Sequence, residues 1–168
     1  WFHSNAGGKT ATPKEGLNYK DKEPPYIQVV DSPDMTGAVE ADAKNWTAKF
    51  PKSKIITALG ETGKPAKDFS SISIGKKGPS GRAVTIKLDG TEVSAAELRL
   101  ALGTTDMRST LLDKIALEGG NVVMSGRGYG HGVGMSQWGA FNMAKNGKKA
   151  QDIIDYYFKN VSIVKMWD

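Results

Sequence analysis

The sequence predicts an α+β fold with a mixed sheet and several short helices. The chain has 168 residues, which is enough for one domain with a real core. Hydrophobic residues make up 39% of it and charged residues 24%, as is ordinary for a soluble globular protein. Runs of alternating hydrophobicity stand between runs with helical spacing, and no internal repeat is present. This mixture is typical of the α+β class.

The first third of the chain gives weak signals. Residues 1–37 are rich in glycine and proline turns around short extended pieces, such as residues 26–30. We therefore expect a long ordered loop region with one or two strands. Residues 38–50 fit either a weak helix or a strand. Ser53 is expected to cap a short helix over residues 54–59, which a glycine ends.

The middle of the chain predicts a β-hairpin. Residues 70–74 and 82–88 alternate in the manner of strands. Asp89-Gly90 then favours a type I′ turn, because both central positions of that turn need a positive φ. The turn leads into a second strand at residues 91–93.

A helix and a second strand pair are predicted to follow the hairpin. Ser94 and Glu97 have the spacing of a capping box, which begins a helix that ends at Gly103. Residues 110–117 and 121–125 have the pattern of two strands joined across a Gly-Gly pair.

The end of the chain is expected to contain two helices and a closing strand. Helical spacing of apolar residues extends over residues 135–145 and 150–158. Residues 161–166 alternate and predict the strand.

Charge and cysteine content narrow the classes of function. A net charge of +5 suits an anionic partner such as nucleic acid, a membrane surface or an acidic wall polymer, and it also suits a solvated basic surface. No dense Lys/Arg stripe or recognition-helix motif supports nucleic acid. The chain contains no cysteine, which excludes disulfides and thiolate metal sites within it. No apolar run approaches the roughly 20 residues of a membrane-spanning helix.

A glycine-rich segment near the C-terminus is the expected functional centre. Glycine occupies every second position from Gly126 to Gly134. If this stretch is extended, one face carries no side chains, and another backbone or a flat ligand can lie against it. The polar and aromatic residues between and after the glycines suit carbohydrate, whose hydroxyls form hydrogen bonds and whose C–H faces stack on rings.

Other interpretations of the segment have less support. The strict alternation excludes a dinucleotide fingerprint, and no P-loop is present. Ser136 and His131 would need a third member to form a nucleophilic triad, and the sequence places none. A tightly packed glycine turn would need no ligand. His3 and His131 are the two histidines, and two neutral ligands without a paired carboxylate are weak evidence for a metal.

The run from Gly126 to Ala140 resembles the signature of the stage II sporulation protein D (SpoIID) family, which includes the amidase enhancer LytB. The resemblance extends over nearly the whole chain and implies that residues 1–168 are the C-terminal portion of one larger SpoIID/LytB-type domain. Further matching stretches are Phe2-His3-Ser4-x-x-Gly7-Gly8, Pro25-Tyr26, Ser80-Gly81-Arg82, Leu98-Arg99, Ser109-Thr110, Met143-Ala144 and residues 153–157.

The resemblance implies a bacterial peptidoglycan-remodelling protein. Sporulation members of the family are lytic transglycosylases that cleave peptide-free glycan strands during engulfment. They act with a partner wall amidase and peptidase and with a membrane protein of the engulfment machinery. The parent protein is expected to be membrane-anchored and to face the cell wall. The alternative is a non-catalytic, glycan-binding module that enhances an amidase.

The resemblance also limits which residues can be assigned. The family's catalytic glutamate lies upstream of the Phe-His-Ser signature, where this chain begins. We therefore expect a fragment with no catalytic residue of its own. Some members bind zinc through a cysteine and a histidine near this signature; His3 could match the histidine, but without a cysteine no metal or other cofactor is predicted. The residues predicted to contact glycan are His3, Ser4, Arg127, Tyr129, His131, Ser136, Gln137 and Trp138.

Overall fold

The computed structural model describes residues 1–36 and 41–167, apart from the side chain of Asp42. The fold is α+β, as predicted, with six helices and eight strands in the described residues. In chain order the elements are β1 (Phe2–His3), α1 (Pro13–Leu17), α2 (Ala41–Lys44), β2 (Asn45–Pro51), α3 (Lys52–Glu61), β3 (Ile72–Ile74), β4 (Thr85–Leu88), β5 (Thr91–Ser94), α4 (Ala95–Leu102), β6 (Leu112–Glu118), β7 (Asn121–Arg127), β8 (Met135–Ser136), α5 (Gln137–Lys145) and α6 (Ala150–Tyr157).

The strands lie in three small sheets rather than in one mixed sheet. Two sheets are antiparallel, in the orders β2-β7-β6 and β3-β4-β5. The third is a two-stranded parallel pair in which β1, at the start of the chain, lies beside β8. Local patterns predict hairpins but not a parallel pair between distant residues, because parallel pairing needs a long connection.

Both antiparallel sheets share one hydrophobic core with α3 and α4. Its side chains come from alternate strand positions and from the inner faces of the two helices, as their periodicity requires. The largest fully buried members include Ile55, Leu59, Ile86, Leu98, Leu102, Met107, Leu112, Val122 and Met124.

The predicted hairpin and the helix after it are confirmed. Asp89 and Gly90 have φ values of 43° and 91°, as a type I′ turn requires. The Asp89 carboxylate accepts hydrogen bonds from the backbone N–H groups and the hydroxyls of Ser70 and Ser71. These bonds lower the pKa of Asp89 to about 2 and tie the start of β3 to the turn. Ser94 caps α4 by accepting from the Glu97 N–H at 3.3 Å.

Two predicted boundaries and one predicted strand are wrong. Helix α3 begins at Lys52 without a side-chain cap, because Pro51 ends β2 and its fixed φ leads directly into the helix. It also continues through Gly60. Residues 161–166 form no strand; Ile163 and Val164 are more than half exposed and find no partner strand among the described residues.

The predictions for the N-terminal third are partly confirmed. Residues 1–36 are mainly ordered loop with one short strand, and residues 26–30 form an isolated bridge at Ile27 rather than a strand. Residues 38–40 of the ambiguous segment lie outside the described residues, and its remainder divides into α2 and β2. Among the described residues, no helix has the length and apolar character needed to cross a membrane.

Two buried carboxylates hold the N-terminal loops in place. Glu15, only 2% exposed, accepts from the Thr12 N–H at 2.9 Å and from the N–H and hydroxyl of Ser80 at 2.9 and 2.8 Å. Asp34 accepts from the N–H groups of Ala6 and Gly8 at 2.6 and 2.8 Å. Backbone donors that would otherwise be buried without partners are thereby satisfied.

A buried arginine lies between these carboxylates. Arg82 is fully buried and donates to the carbonyls of Ala6 and Lys9 at 2.6 and 2.8 Å. Burial lowers its pKa to about 10, while the charges of Glu15 and Asp34 act in the opposite direction. The guanidinium therefore stays charged and joins the first loop to the segment before β4.

Replacing Glu15 by glutamine should destabilise the fold. Glu15→Gln removes the negative charge near Arg82 and replaces one acceptor oxygen by an N–H₂ group facing N–H donors. The expected loss in the free energy of unfolding is about 2–4 kcal/mol, measured by chemical denaturation. Glu61→Gln is the control, since Glu61 is exposed. Equal midpoints for both variants would contradict the anchoring role of Glu15.

Candidate functional site

The glycine-rich segment is a coiled loop, not the extended strand predicted from its alternation. Gly126 belongs to β7, but Gly128, Gly130, Gly132 and Gly134 all have positive φ values, between 75° and 114°. A left-handed residue at every second position turns the chain repeatedly, so no flat face free of side chains is formed.

The space at these glycines is filled by residues from the start of the chain. A Cβ atom on Gly128 would lie 2.8 Å from the Asn5 carbonyl oxygen, and one on Gly130 would lie 2.7 Å from the His3 Cβ. At Gly132 the Arg82 guanidinium occupies the position, and at Gly134 the Trp1 carbonyl does. The glycines therefore admit the protein's own backbone and side chains rather than a flat ligand.

Backbone hydrogen bonds join the same two segments. Asn5 and Tyr129 exchange N–H to carbonyl bonds of 2.9 and 2.8 Å, and the Ala11 N–H donates to the Gly132 carbonyl at 2.8 Å. The Trp138 N–H donates to the Ser4 carbonyl at 3.1 Å. Residues 1–11 and 126–138 thus form one unit, although more than a hundred residues separate them.

Both histidines lie in this unit, and both form hydrogen bonds with the backbone of Val133. The His3 Nδ1 lies 3.2 Å from the Val133 carbonyl oxygen, so it carries the proton and donates it. The His131 Nδ1 accepts from the Val133 N–H at 3.0 Å, so it carries none. The ring centroids are 5.6 Å apart. Each ring is fixed in orientation and tautomer by the backbone.

Burial keeps both histidines neutral at pH 7. It lowers the pKa of His3 to about 3, with smaller contributions from the charges of Arg82 and His131. It also lowers the pKa of His131 to about 4; the Arg99 charge adds to this effect, and a hydrogen bond with the Phe2 backbone opposes it. Neither ring therefore serves as a cation, and neither has a pKa suited to proton transfer near neutral pH.

The residues present do not fit a zinc site at the Phe-His-Ser signature. Within the part of the chain that the structure describes, no three His, Cys, Asp or Glu side chains come together as metal ligands. The His3 Nδ1 is committed to Val133, and its Nε2 is buried without a hydrogen-bond partner among those residues.

Ser136 has a structural role at the start of α5. Its side chain is fully buried, accepts from the Gly139 N–H at 3.2 Å and donates to the Ser4 carbonyl at 3.3 Å. It is therefore the N-cap of the helix, and the helix begins two residues later than predicted because Met135 and Ser136 pair with β1. A hydroxyl engaged in this way is not placed as a nucleophile paired with His131.

The remaining predicted residues are more dispersed. Gln137 is exposed, and Trp138 packs edge-on against Phe141 with the ring centroids 5.6 Å apart. Arg127 forms an ion pair with Asp113 of β6 at 3.1 Å. The Tyr129 ring lies below the Arg108 guanidinium, 5.4 Å from its central carbon. The structure therefore unites His3, Ser4, His131 and Ser136 but shows no single cluster of all eight.

A pocket of about 330 Å³ opens beside His131. It contains a residue that the sequence did not single out for binding, Arg99 of α4. Arg99 follows buried Leu98 in a helix face that is otherwise apolar. A charged residue at a core position of a helix is the sequence feature that could have identified it as a candidate binding residue. The lining residues are Gly16, Leu17, Ala96, Arg99, Leu100, Thr104, Gly130 and His131.

A larger groove of about 500 Å³ runs along β2. Its walls are β2 itself, Lys54 of α3 and the loop that contains Thr105, Asp106 and Arg108. None of the predicted glycan-contacting residues lines it directly.

Comparisons with known proteins agree with the similarity seen in the sequence. Residues 25–134 match the model of a family described as a domain of unknown function (DUF8618). An uncharacterized protein of Brachyspira hyodysenteriae is 32% identical over 74% of this chain and 33% of its own length. Stage II sporulation protein D of Bacillus subtilis is 30% identical over 96% of this chain and 44% of its own length.

A further relative is the amidase enhancer of Bacillus subtilis, which is 34% identical over 46% of this chain and 11% of its own length. The chain thus spans less than half the length of each curated relative described here.

Replacing Gly132 by alanine should lower the free energy of unfolding by more than backbone strain alone would. Gly132→Ala places a methyl group against the Arg82 guanidinium, and we expect a loss of about 3 kcal/mol or more in the free energy of unfolding. Gly147→Ala is a matched control, since Gly147 has nearly the same φ (82° against 83°) and open space around it. It should cost about 1 kcal/mol. Similar losses for both would show that the contact with Arg82 is unimportant.

Acidification should destabilise the protein through its histidines. Below pH 6.5 the unfolded chain protonates both rings, whereas the folded pKa values of His3 and His131 are about 3 and 4. The unfolded state then binds more protons, so the free energy of unfolding falls as the pH drops, by up to about 1.4 kcal/mol per pH unit for a buried histidine. Denaturation at pH 6.5 and 5 measures this slope.

His3→Asn tests the origin of the slope. The amide nitrogen of asparagine can still donate to the Val133 carbonyl but does not titrate. The variant should show a smaller loss between pH 6.5 and 5 than the original protein. An unchanged slope would assign the pH dependence to other groups.

Proposed function

Because the chain is related to the stage II sporulation protein D family, we propose that it acts in peptidoglycan remodelling during bacterial sporulation and supplies contacts to the glycan strand. The names of the relatives support a role at the cell wall. Stage II sporulation protein D and the amidase enhancer are both among the similar proteins.

The observation that carries the proposal is the joining of the two signature segments. Residues 1–11 and 126–138 lie at opposite ends of the chain, yet they pack into one unit whose His131 lines a pocket. His131 lines that pocket together with Arg99, a buried cation of α4. The net charge of +5 is also suited to an anionic polymer.

We propose lytic transglycosylation as the reaction of the complete protein. In this reaction a glutamic acid protonates the glycosidic oxygen, the bond to C1 breaks, and the sugar's own C6 hydroxyl attacks C1 while the resulting carboxylate takes its proton. The product is a 1,6-anhydro sugar. The role of this chain would be to hold and align the strand.

None of the described glutamates lies in the wall of the His131 pocket. Glu15 is buried and saturated with hydrogen bonds, and Glu97 accepts from the Asn18 amide at 2.6 Å. We therefore propose that the catalytic acid belongs to another part of the complete protein. The same proposal places that protein outside the cytoplasmic membrane, anchored to it, with a wall amidase and peptidase and a membrane protein as partners.

A non-catalytic wall-binding module that enhances an amidase is the second candidate. It is favoured by the similarity to an amidase enhancer and by the absence of an acid from the pocket wall in the described residues. Both candidates require binding to glycan, and they differ in whether the complete protein cleaves it.

Peptide-free glycan strands separate the two candidates. We expect the 168-residue chain to bind the strands without cleaving them, and the complete protein to produce 1,6-anhydro ends detectable by mass spectrometry. Binding without cleavage by the complete protein would favour the amidase-enhancing module. No binding, or equal binding to DNA and glycan, would contradict both.

Trp138→Ala should weaken strand binding about fivefold if its ring stacks on sugar. Trp167→Ala is the control, because Trp167 is 75% exposed in the terminal segment, away from the secondary structure. Co-sedimentation with purified glycan measures both. Equal effects of the two substitutions would remove Trp138 from the binding surface.

A further inference from the structure

Arg99 is a buried cation at the wall of the His131 pocket. It is 7% exposed and lies on the inner side of α4, next to fully buried Leu98. It lines the pocket together with Gly130 and His131. A charge in this position is costly to bury unless a partner compensates for it.

The protein compensates Arg99 only in part. The Nε donates to the Arg108 carbonyl at 3.1 Å and one Nη2 hydrogen to the Thr104 carbonyl at 3.3 Å. Both acceptors are neutral, no described carboxylate forms an ion pair with Arg99, and no described residue accepts from its Nη1. Burial lowers the pKa of Arg99.

Arg82, which is also buried, has the negatively charged neighbours that Arg99 lacks. Arg82 lies under the influence of Glu15 and Asp34, whose negative charges offset its burial. Arg99 has no comparable carboxylate among the described residues, and it lines an open pocket with its Nη1 not used in a described hydrogen bond. An anion bound there would supply the missing charge.

The residues of the pocket wall indicate which kind of anion the pocket suits. It contains no carboxylate, and its one charged side chain is Arg99. Leu17 and Leu100, 42% and 66% exposed, supply apolar surface, and Gly16 and Gly130 leave room close to the backbone. His131 is neutral, so the pocket offers a single positive charge. These features suit one carboxylate on a small group with an apolar part.

We propose that Arg99 makes the His131 pocket a binding site for a carboxylate group. In wall glycan this group is the lactyl carboxylate of a muramic acid residue without its stem peptide. The lactyl methyl group would contact the leucines while Arg99 pairs with the carboxylate. In peptide-bearing glycan the same carbon is an amide, which carries no charge. Arg99 would thereby distinguish peptide-free from peptide-bearing strands. The identity of the ligand rests on the proposed function, whereas the pairing of Arg99 with a carboxylate rests on the pocket alone.

Nuclear magnetic resonance can test the proposal, because the chain has only two histidines. At pH 7 we expect N-acetylmuramic acid to shift the ring-proton signals of His131 in a saturable way. N-acetylglucosamine, which lacks the lactyl group, and the methyl amide of N-acetylmuramic acid should have little effect. His3, which is buried and does not line the pocket, is the internal reference. Equal shifts with all three sugars, or none with the acid, would overturn the proposal.

Substitutions at the exposed rim test the charge without disturbing the core. Leu100→Glu should weaken binding of N-acetylmuramic acid about fivefold, and Leu100→Lys should strengthen it by a similar factor. Leu100→Gln is the neutral control and should bind like the original. Arg99→Lys should bind about tenfold more weakly, and thermal unfolding shows whether it keeps its fold. Equal affinities for the glutamate and lysine variants would overturn the proposal.

The outcomes separate this inference from the proposed function. If peptide-free strands bind but the Leu100 variants do not differ, the Arg99 inference is wrong and the function stands. If the strands do not bind but N-acetylmuramic acid or lactate still does so in an Arg99-dependent way, the carboxylate pocket stands and the function is wrong. Inorganic phosphate that competes as well as lactate would show a general anion site and overturn the assignment to a carboxylate.

Discussion

The seating of the first eleven residues against the glycine-rich loop is the constraint on which the rest of the site depends. Four positions of the loop require glycine, because they have left-handed conformations and because neighbouring atoms of the N-terminal segment and Arg82 leave no room for a side chain. The Arg82 guanidinium donates hydrogen bonds to two backbone carbonyls of that segment. This packing determines the orientation of both histidines, the cap of α5 and part of the wall of the His131 pocket.

The two buried arginines differ in the charges that surround them. Arg82 is balanced by nearby carboxylates and serves the fold, whereas Arg99 is satisfied only by neutral carbonyls and borders a pocket. The histidines also serve the fold, since burial keeps them uncharged and the Val133 backbone forms a hydrogen bond with the Nδ1 of each ring. A conspicuous residue in a signature motif can thus be structural while a less conspicuous neighbour has free binding capacity.

Local features of the fold were predictable because neighbouring residues determine them. The Asp89-Gly90 turn, the Ser94 cap and the terminal helices follow from residues a few positions apart. The capping box of α1, Thr12 with Glu15, is also a local signal, although the turn residues around it favour a loop. The conformation of the glycine loop does not follow from its alternation, because the same pattern suits an extended strand and a coiled loop with left-handed glycines. Its contacts with residues 1–11, and the role of Arg99, depend on packing between distant segments, which no local pattern encodes.

The parallel pair β1–β8 joins residues more than 130 positions apart with a register of only two residue pairs. Closing so long a loop carries a large entropy cost, which is repaid only when the intervening core has already formed. We therefore expect the antiparallel sheets to assemble first and the joined unit at the pocket to form last. A single nick in a surface loop could leave the core intact and still release one end of the chain, so the integrity of the pocket is a more sensitive measure of an unbroken polypeptide than the content of secondary structure.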